Sequence, residues 1–112
     1  MKLFKHPRIE EVRIEHVMHA LSDPVRLGIV RQLDRVAEAS CNALDGGRPK
    51  SSMSHHHRVL RDAGLVWTRS EGVVHQNALR REELDRRFPG LLDAVLAASS
   101  EAEEPLRTSA EG

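Results

Sequence analysis

Seven histidines, one cysteine and seventeen carboxylates are the side chains in this sequence that could ligate a metal, attack as a nucleophile or move a proton. Their spacing limits them. His55, His56 and His57 are consecutive, and successive side chains on a helix point about 100° apart, so the three cannot close on one ion. His16 and His19 stand three apart with His6 nearby, which leaves room for one unusual intersubunit metal site. Surface or interface histidines are the preferred reading, because zinc takes about four ligands in a tetrahedral array. No nucleophile elbow, glycine-rich phosphate loop or metal-ligand set appears, and an enzyme is not expected. Cys41 is alone, which excludes an internal disulfide framework and fits a reducing cytoplasm. It reads as a small buried apolar residue in preference to a redox sensor, since a reactive thiol needs exposure and a lowered pKa.

One stretch is polar and basic in the way of a helix pressed against nucleic acid: Lys50-Ser51-Ser52-Met53-Ser54-His55-His56-His57-Arg58-Val59-Leu60-Arg61-Asp62-Ala63-Gly64-Leu65-Val66, which ends in a helix stop and an apolar strand start. On a helix starting near Ser51, positions 51, 54, 55, 58 and 62 lie on neighbouring faces, and 53, 57, 60 and 64 form the opposite stripe. Lys50, Ser51, Ser52, Ser54, His55 and Arg58 are therefore expected to face a DNA groove, with Met53, Val59 and Leu60 in the core. Serine and histidine can donate to or accept from base edges, and Arg58 can read guanine with two hydrogen bonds or hold a phosphate. The plainer alternative makes Ser51 and Ser52 helix caps and Arg58 a solvated charge. His57 falls in the core stripe, where it is read as a neutral, satisfied residue; the alternative is a proton-linked adjustment of the helix.

Elements that would position this helix follow from periodicity. Ile9, Val12, Ile14, Val17, Ala20 and Leu21 mark a helix over residues 8–21. Ser22-Asp23-Pro24 reads as a stop and restart, because Ser or Asp caps and Pro suits a first turn. Val25 to about Arg35 follows, with Leu27, Ile29, Val30 and Leu33 inward and Arg26, Arg31 and Arg35 outward. A weaker helix spans Val36 to Leu44 before the loop Asp45-Gly46-Gly47-Arg48-Pro49. After Gly64, Leu65 to Arg69 and Val73 to Leu79 are strand-like around Ser70-Glu71-Gly72, a hairpin. Arg69 and His75 are its DNA-contact candidates. For Arg69 a pair with Glu71 or another carboxylate is an equal alternative. Residues 80–87 and 91–98 close the chain as helices. The fold expected is mostly α with a small β-hairpin, a winged helix-turn-helix in the order α-α-α-α-β-β-α. The last helix is apolar on most faces, which suits burial in a homodimer.

Bulk composition agrees with one soluble domain. The 112 residues are 39% hydrophobic and 30% charged, with no apolar run of spanning length and no secretory signal. Formal net charge is zero, yet residues 1–98 carry 16 basic and 13 acidic side chains, and residues 99–112 carry one and four. The acidic tail, 99–112, is expected to be disordered and to mask a mildly basic body of 1–98.

Three blocks carry a family resemblance: Ala20-Leu21-Ser22-Asp23-Pro24-Val25-Arg26-Leu27, then Ser51-Ser52-Met53-Ser54-His55-His56-His57-Arg58-Val59-Leu60, then Ala63-Gly64-Leu65-Val66. In this order they resemble the ArsR family of bacterial winged-helix repressors over roughly residues 8–98. The resemblance implies a homodimer joined through its first and last helices, bound to a palindromic operator of double-stranded DNA and repressing transcription. It also implies where metals would sit. One family site needs a Cys-x-Cys pair, and here Cys41 has no partner; another needs histidines on the last helix, which has none. No metal or other cofactor is expected. Three positions depart from the pattern: His57 stands at an apolar position, Val73 where the wing often has Arg or Lys, and His75 and Asn77 where aromatics are common. A dimeric adaptor resembling an antitoxin, with little DNA readout, is the alternative function.

Overall fold

The computed structural model describes residues 4–99. A 3-10 turn at Ile9–Glu11 leads to helix α1 (Ile14–Leu21), helix α2 (Pro24–Arg35), strand β1 (Ala39–Ser40), the single turn α3 (Cys41–Leu44) and helix α4 (Lys50–Asp62). Strands β2 (Val66–Glu71) and β3 (Val74–Leu79) follow, then α5 (Arg81–Arg87) and α6 over residues 91–99. The expected acidic tail lies outside the described residues except Ser99, which ends the described part of α6.

Helix α1 begins later than its apolar stripe suggests. Val12 is extended (φ −71°, ψ 129°), which separates the 3-10 turn from α1. Its side chain is buried, and its carbonyl accepts from Arg87 Nε and Nη2 at 3.1 and 2.8 Å. Asp23 is the cap of α2, accepting from the backbone N–H of Val25 and Arg26 at 2.8 and 3.1 Å, with Pro24 in the first turn. These are the first-turn donors that a helix leaves orphaned.

Helix α4 ends in a Schellman motif: the Leu65 N–H reaches the Leu60 carbonyl and the Gly64 N–H reaches that of Arg61, both at 3.0 Å. Gly64 has φ +89°, and a Cβ there would lie 2.4 Å from Val12 Cγ2. Gly64→Ala should therefore lower stability by about 1–2 kcal/mol, read as a fall in the urea midpoint with unchanged slope. An unchanged midpoint would show that the chain relaxes around Val12 at no cost.

The sheet has three strands in the order β1-β3-β2, all antiparallel. The hairpin was expected; β1 was not, because residues 36–44 read as helix. Residues 36–38 are irregular instead, and Ala39 and Ser40 pair with Asn77 and Gln76. The reason lies on β3. Asn77, 1% exposed, accepts from Thr68 Oγ1 at 2.7 Å and donates to the Ala39 carbonyl at 3.3 Å, so one amide joins all three strands. The turn is tighter than expected, with Glu71 opposite Val74 and Gly72 at φ +64°. Leu33, Leu60, Val66, Leu84 and Leu92 are fully buried and connect α2, α4, β2, α5 and α6 through one core, with Leu65 buried just before β2.

Candidate nucleic-acid interface

The two faces of α4 separate as its periodicity requires. Met53, His57 and Leu60 are buried, and Val59 is half-buried at their side. Lys50, Ser51, Ser52, Ser54, His55 and Arg58 are all exposed. No side chain caps α4; Pro49 holds the N-cap position, and Ser52 Oγ donates back to the Pro49 carbonyl at 3.0 Å. Ser51 therefore has its hydroxyl available on an open surface, and Arg58 makes no ion pair or hydrogen bond among the described residues. A row of hydroxyl, imidazole and guanidinium groups on one exposed helix face is suited to reading base edges and holding phosphates.

The hairpin candidates sit differently. Arg69 is clamped between two carboxylates: Nη2 donates to Glu38 Oε1 at 2.7 Å and Nη1 to Glu71 Oε2 at 3.0 Å. The Glu38 hydrogen bond, then that of Glu71, raises its pKa. Of the two readings of Arg69, the carboxylate pair is the one present here. His75 is half-buried and meets the Phe4 ring edge-on with centroids 4.9 Å apart. Val73, at the turn, is 98% exposed.

Cys41 opens α3 and is half-buried, and Asn77 Nδ2 donates toward its sulfur at 3.3 Å. It is thus neither fully buried nor purely apolar in its surroundings. His57 is 4% exposed, and burial, followed by Arg61, lowers its pKa to about 4. Neutrality was expected and fits this environment. Satisfaction was also expected, but Nε2 has no hydrogen-bond partner.

Several residues that hold the site escaped the sequence reading. Arg26, expected outward, is 7% exposed. Its Nε and Nη2 donate to the carbonyls of Ala20 and His19 at 2.8 and 3.3 Å, closing the C-terminal end of α1. Its Nη1 donates to His56 Nδ1 at 3.2 Å, which ties α4 to the α1–α2 corner. The available signal was a cation just past a helix end, where orphan carbonyls collect. Lysine cannot reproduce this three-way fork. Arg26→Lys should cost about 1–2 kcal/mol of stability and, in a domain of this size, lower Tm by about 4–16 °C. A Tm equal to that of the unaltered chain would show that charge alone serves.

His6 Nε2 accepts from the Thr68 N–H at 2.9 Å and packs edge-on against Trp67. The Arg80 guanidinium lies over the Trp67 ring, 3.8 Å from its centroid, and donates to the Pro7 carbonyl at 2.8 Å. The N-terminal segment is thereby laid along β2. His6 does not join His16 and His19, both exposed, and among the described residues no three His, Cys, Asp or Glu side chains are placed to hold a metal.

Comparison with known proteins agrees with this geometry. A family model described as a helix-turn-helix domain matches residues 21–69. An HTH-type transcriptional regulator of Bacillus subtilis, YceK, is 32% identical over 89 residues, covering 77% of this chain and 88% of the relative. The arsenical resistance operon repressor of Staphylococcus xylosus is 36% identical over 70 residues, 62% of this chain and 67% of the relative. The crystal structure of an ArsR family transcriptional regulator superposes with a TM-score of 0.61 at 26% identity, covering 81% of this chain and 96% of that one.

Proposed function

Because this chain belongs to the ArsR family of winged helix-turn-helix transcriptional regulators, we propose that it is a repressor that binds a palindromic operator in double-stranded DNA as a homodimer. The observation that carries this is the division of α4. Six polar side chains, Lys50, Ser51, Ser52, Ser54, His55 and Arg58, are exposed on the side away from the buried Met53–His57–Leu60 stripe. In this reading α4 lies in the major groove and the β2–β3 hairpin flanks it over the backbone, where Arg69 and His75 belong. Arg69 would contact phosphate or minor groove by exchanging its carboxylates. The S. xylosus relative is named as a repressor, which supports the same sign of regulation here.

Dimerisation is supported by apolar surface at the chain's two ends. Ile14 and Met18 on α1 are 38% and 57% exposed. Leu91, Val95 and Leu96 on α6 are only half-buried, and Ala94, Ala97 and Ala98 are exposed. Pairing α1 and α6 with a second copy would cover these side chains and set two α4 helices about 34 Å apart, one DNA turn. No helix of the described residues is long and apolar enough to cross a membrane, and operator binding would place the protein in the cytoplasm.

The test is a selection of random duplexes on the purified protein, followed by affinity measurement of the selected site across salt concentrations. A palindromic consensus with log K falling steeply against log salt is the expected result, because each phosphate contact releases counterions. No enriched sequence, or an affinity indifferent to salt, would overturn the reading in favour of a protein-binding adaptor.

A further inference from the structure

A cavity of about 350 Å³ opens where α3, α4 and β3 meet, a volume suited to an organic ligand of about ten to fifteen non-hydrogen atoms. Phe4, Met53 and Val74 supply apolar wall; Cys41, His57 and Arg61 supply polar wall. Three features make it more than a surface fold. The first is charge: Lys50, Arg58 and Arg61 border the cavity against one carboxylate, Asp45, whose Oδ1 already accepts from the Gly47 N–H at 3.0 Å. The second is His57, 4% exposed with Nε2 unpartnered, a buried donor or acceptor that the fold itself does not use. The third is Arg61. Its guanidinium is half-buried, stacks on the Phe4 ring at 4.6 Å, and makes no hydrogen bond or ion pair with a carboxylate among the described residues.

We propose that this cavity is the binding site of a small organic monocarboxylate. A half-buried guanidinium that no carboxylate hydrogen-bonds carries a desolvation cost, and a carboxylate relieves that cost with two parallel hydrogen bonds. The Arg61 fork meets the carboxylate, and neutral His57 can add a further donor from Nε2. Phe4 and Met53, which line the cavity, supply apolar wall for the body of the ligand. A phosphate of duplex DNA offers the same charge, but it is bound within a stiff backbone. It can reach the exposed Lys50 and Arg58, and not a residue as enclosed as His57. Because Lys50, Ser54 and Arg58 border the cavity and also belong to the groove face, ligand and operator would compete for them. That consequence rests on the DNA-binding reading; occupancy of the cavity does not.

The experiment is an amide NMR titration of the full chain without DNA, using benzoate and indole-3-acetate up to about 10 mM. Benzamide, indole-3-acetamide, inorganic phosphate and a short non-specific duplex serve as comparison probes. Saturable shifts at Cys41, His57, Arg61 and His75 with a carboxylate are expected, about tenfold weaker with the matching amide. They should be lost in Arg61→Gln and weakened in His57→Phe, each variant's spectrum reporting its own fold. The site is overturned by no saturable shift with either carboxylate, by amides binding equally well, by phosphate or duplex alone producing the shifts, or by undiminished binding in both variants. With the site occupied, affinity for the selected operator should fall about tenfold; unchanged operator affinity would overturn the competition while the NMR result stands by itself.

Discussion

Arg58→Ala is expected to weaken binding to the selected operator by about 10- to 100-fold for each half-site, which corresponds to about 1–3 kcal/mol per contact. In the proposed dimer the contact would be lost twice, so the specific complex should vanish from a gel shift at concentrations that saturate the unaltered protein. Three observations set this size. Arg58 lies on the exposed face of α4, it forms no pair among the described residues, and it sits one turn from Ser54 and His55 on the same surface. For the same reasons its removal should leave thermal unfolding unchanged: among the described residues it has no ion pair or hydrogen bond to lose. Arg58→Lys separates its two roles. A lysine that restores affinity indicates phosphate contact, whereas a lysine that leaves one base position relaxed indicates bidentate guanine readout. An intact operator complex with Arg58→Ala would sink the assignment of the groove face.

Stability should fall as pH drops from about 6.5 toward 4, and His57→Phe should remove much of that fall. The sign follows from proton uptake. The unfolded chain protonates His57 near 6.5, and the folded chain holds it neutral down to about 4, because the imidazole is buried beside Arg61. Between these values the unfolded state binds more protons, so each step down in pH favours unfolding; above 6.5 the contribution is complete and constant. The span amounts to up to about 3 kcal/mol. His6 acts in the same direction, its pKa lowered by burial and then by Arg80, and its protonation forfeits the Thr68 hydrogen bond. Asp23 works in a separate, lower window, since its capping bonds are lost only as the carboxylate protonates. Urea unfolding at pH 7 and pH 4.5 measures the effect. His57→Phe should gain relative to the unaltered chain at the lower pH, and parallel curves for the two would show that His57 is not the titrating group.

Helix α4 and its two faces are local properties, which is why they can be read directly from residues 50–64. A 3.6-residue period sorts Met53, His57 and Leu60 from Ser51, Ser54 and Arg58, and a glycine at the stop permits the left-handed turn that L-residues avoid. The Asp23-Pro24 restart is equally local: a cap needs only its own next two N–H groups. The hairpin is legible because strand, glycine and strand are contiguous.

The other determinants depend on residues far apart in the chain. Strand β1 has two residues, too few to show any periodicity, and exists because Asn77 reaches Ala39 from 38 positions away. Glu71 could be named as a partner of Arg69 from the hairpin alone, but Glu38, 31 positions distant, could not. Arg26 has the spacing of an outward residue on α2, and only the packing of α1 against α2 and α4 puts the Ala20 and His19 carbonyls and His56 within its reach. His57 follows the same division: periodicity determined that it lies on the core side, and only the tertiary packing determined that its Nε2 is left unpartnered beside a cavity bordered by Arg61. A helical period specifies the direction in which a side chain points, and the partner it meets there is set by elements that the period does not describe.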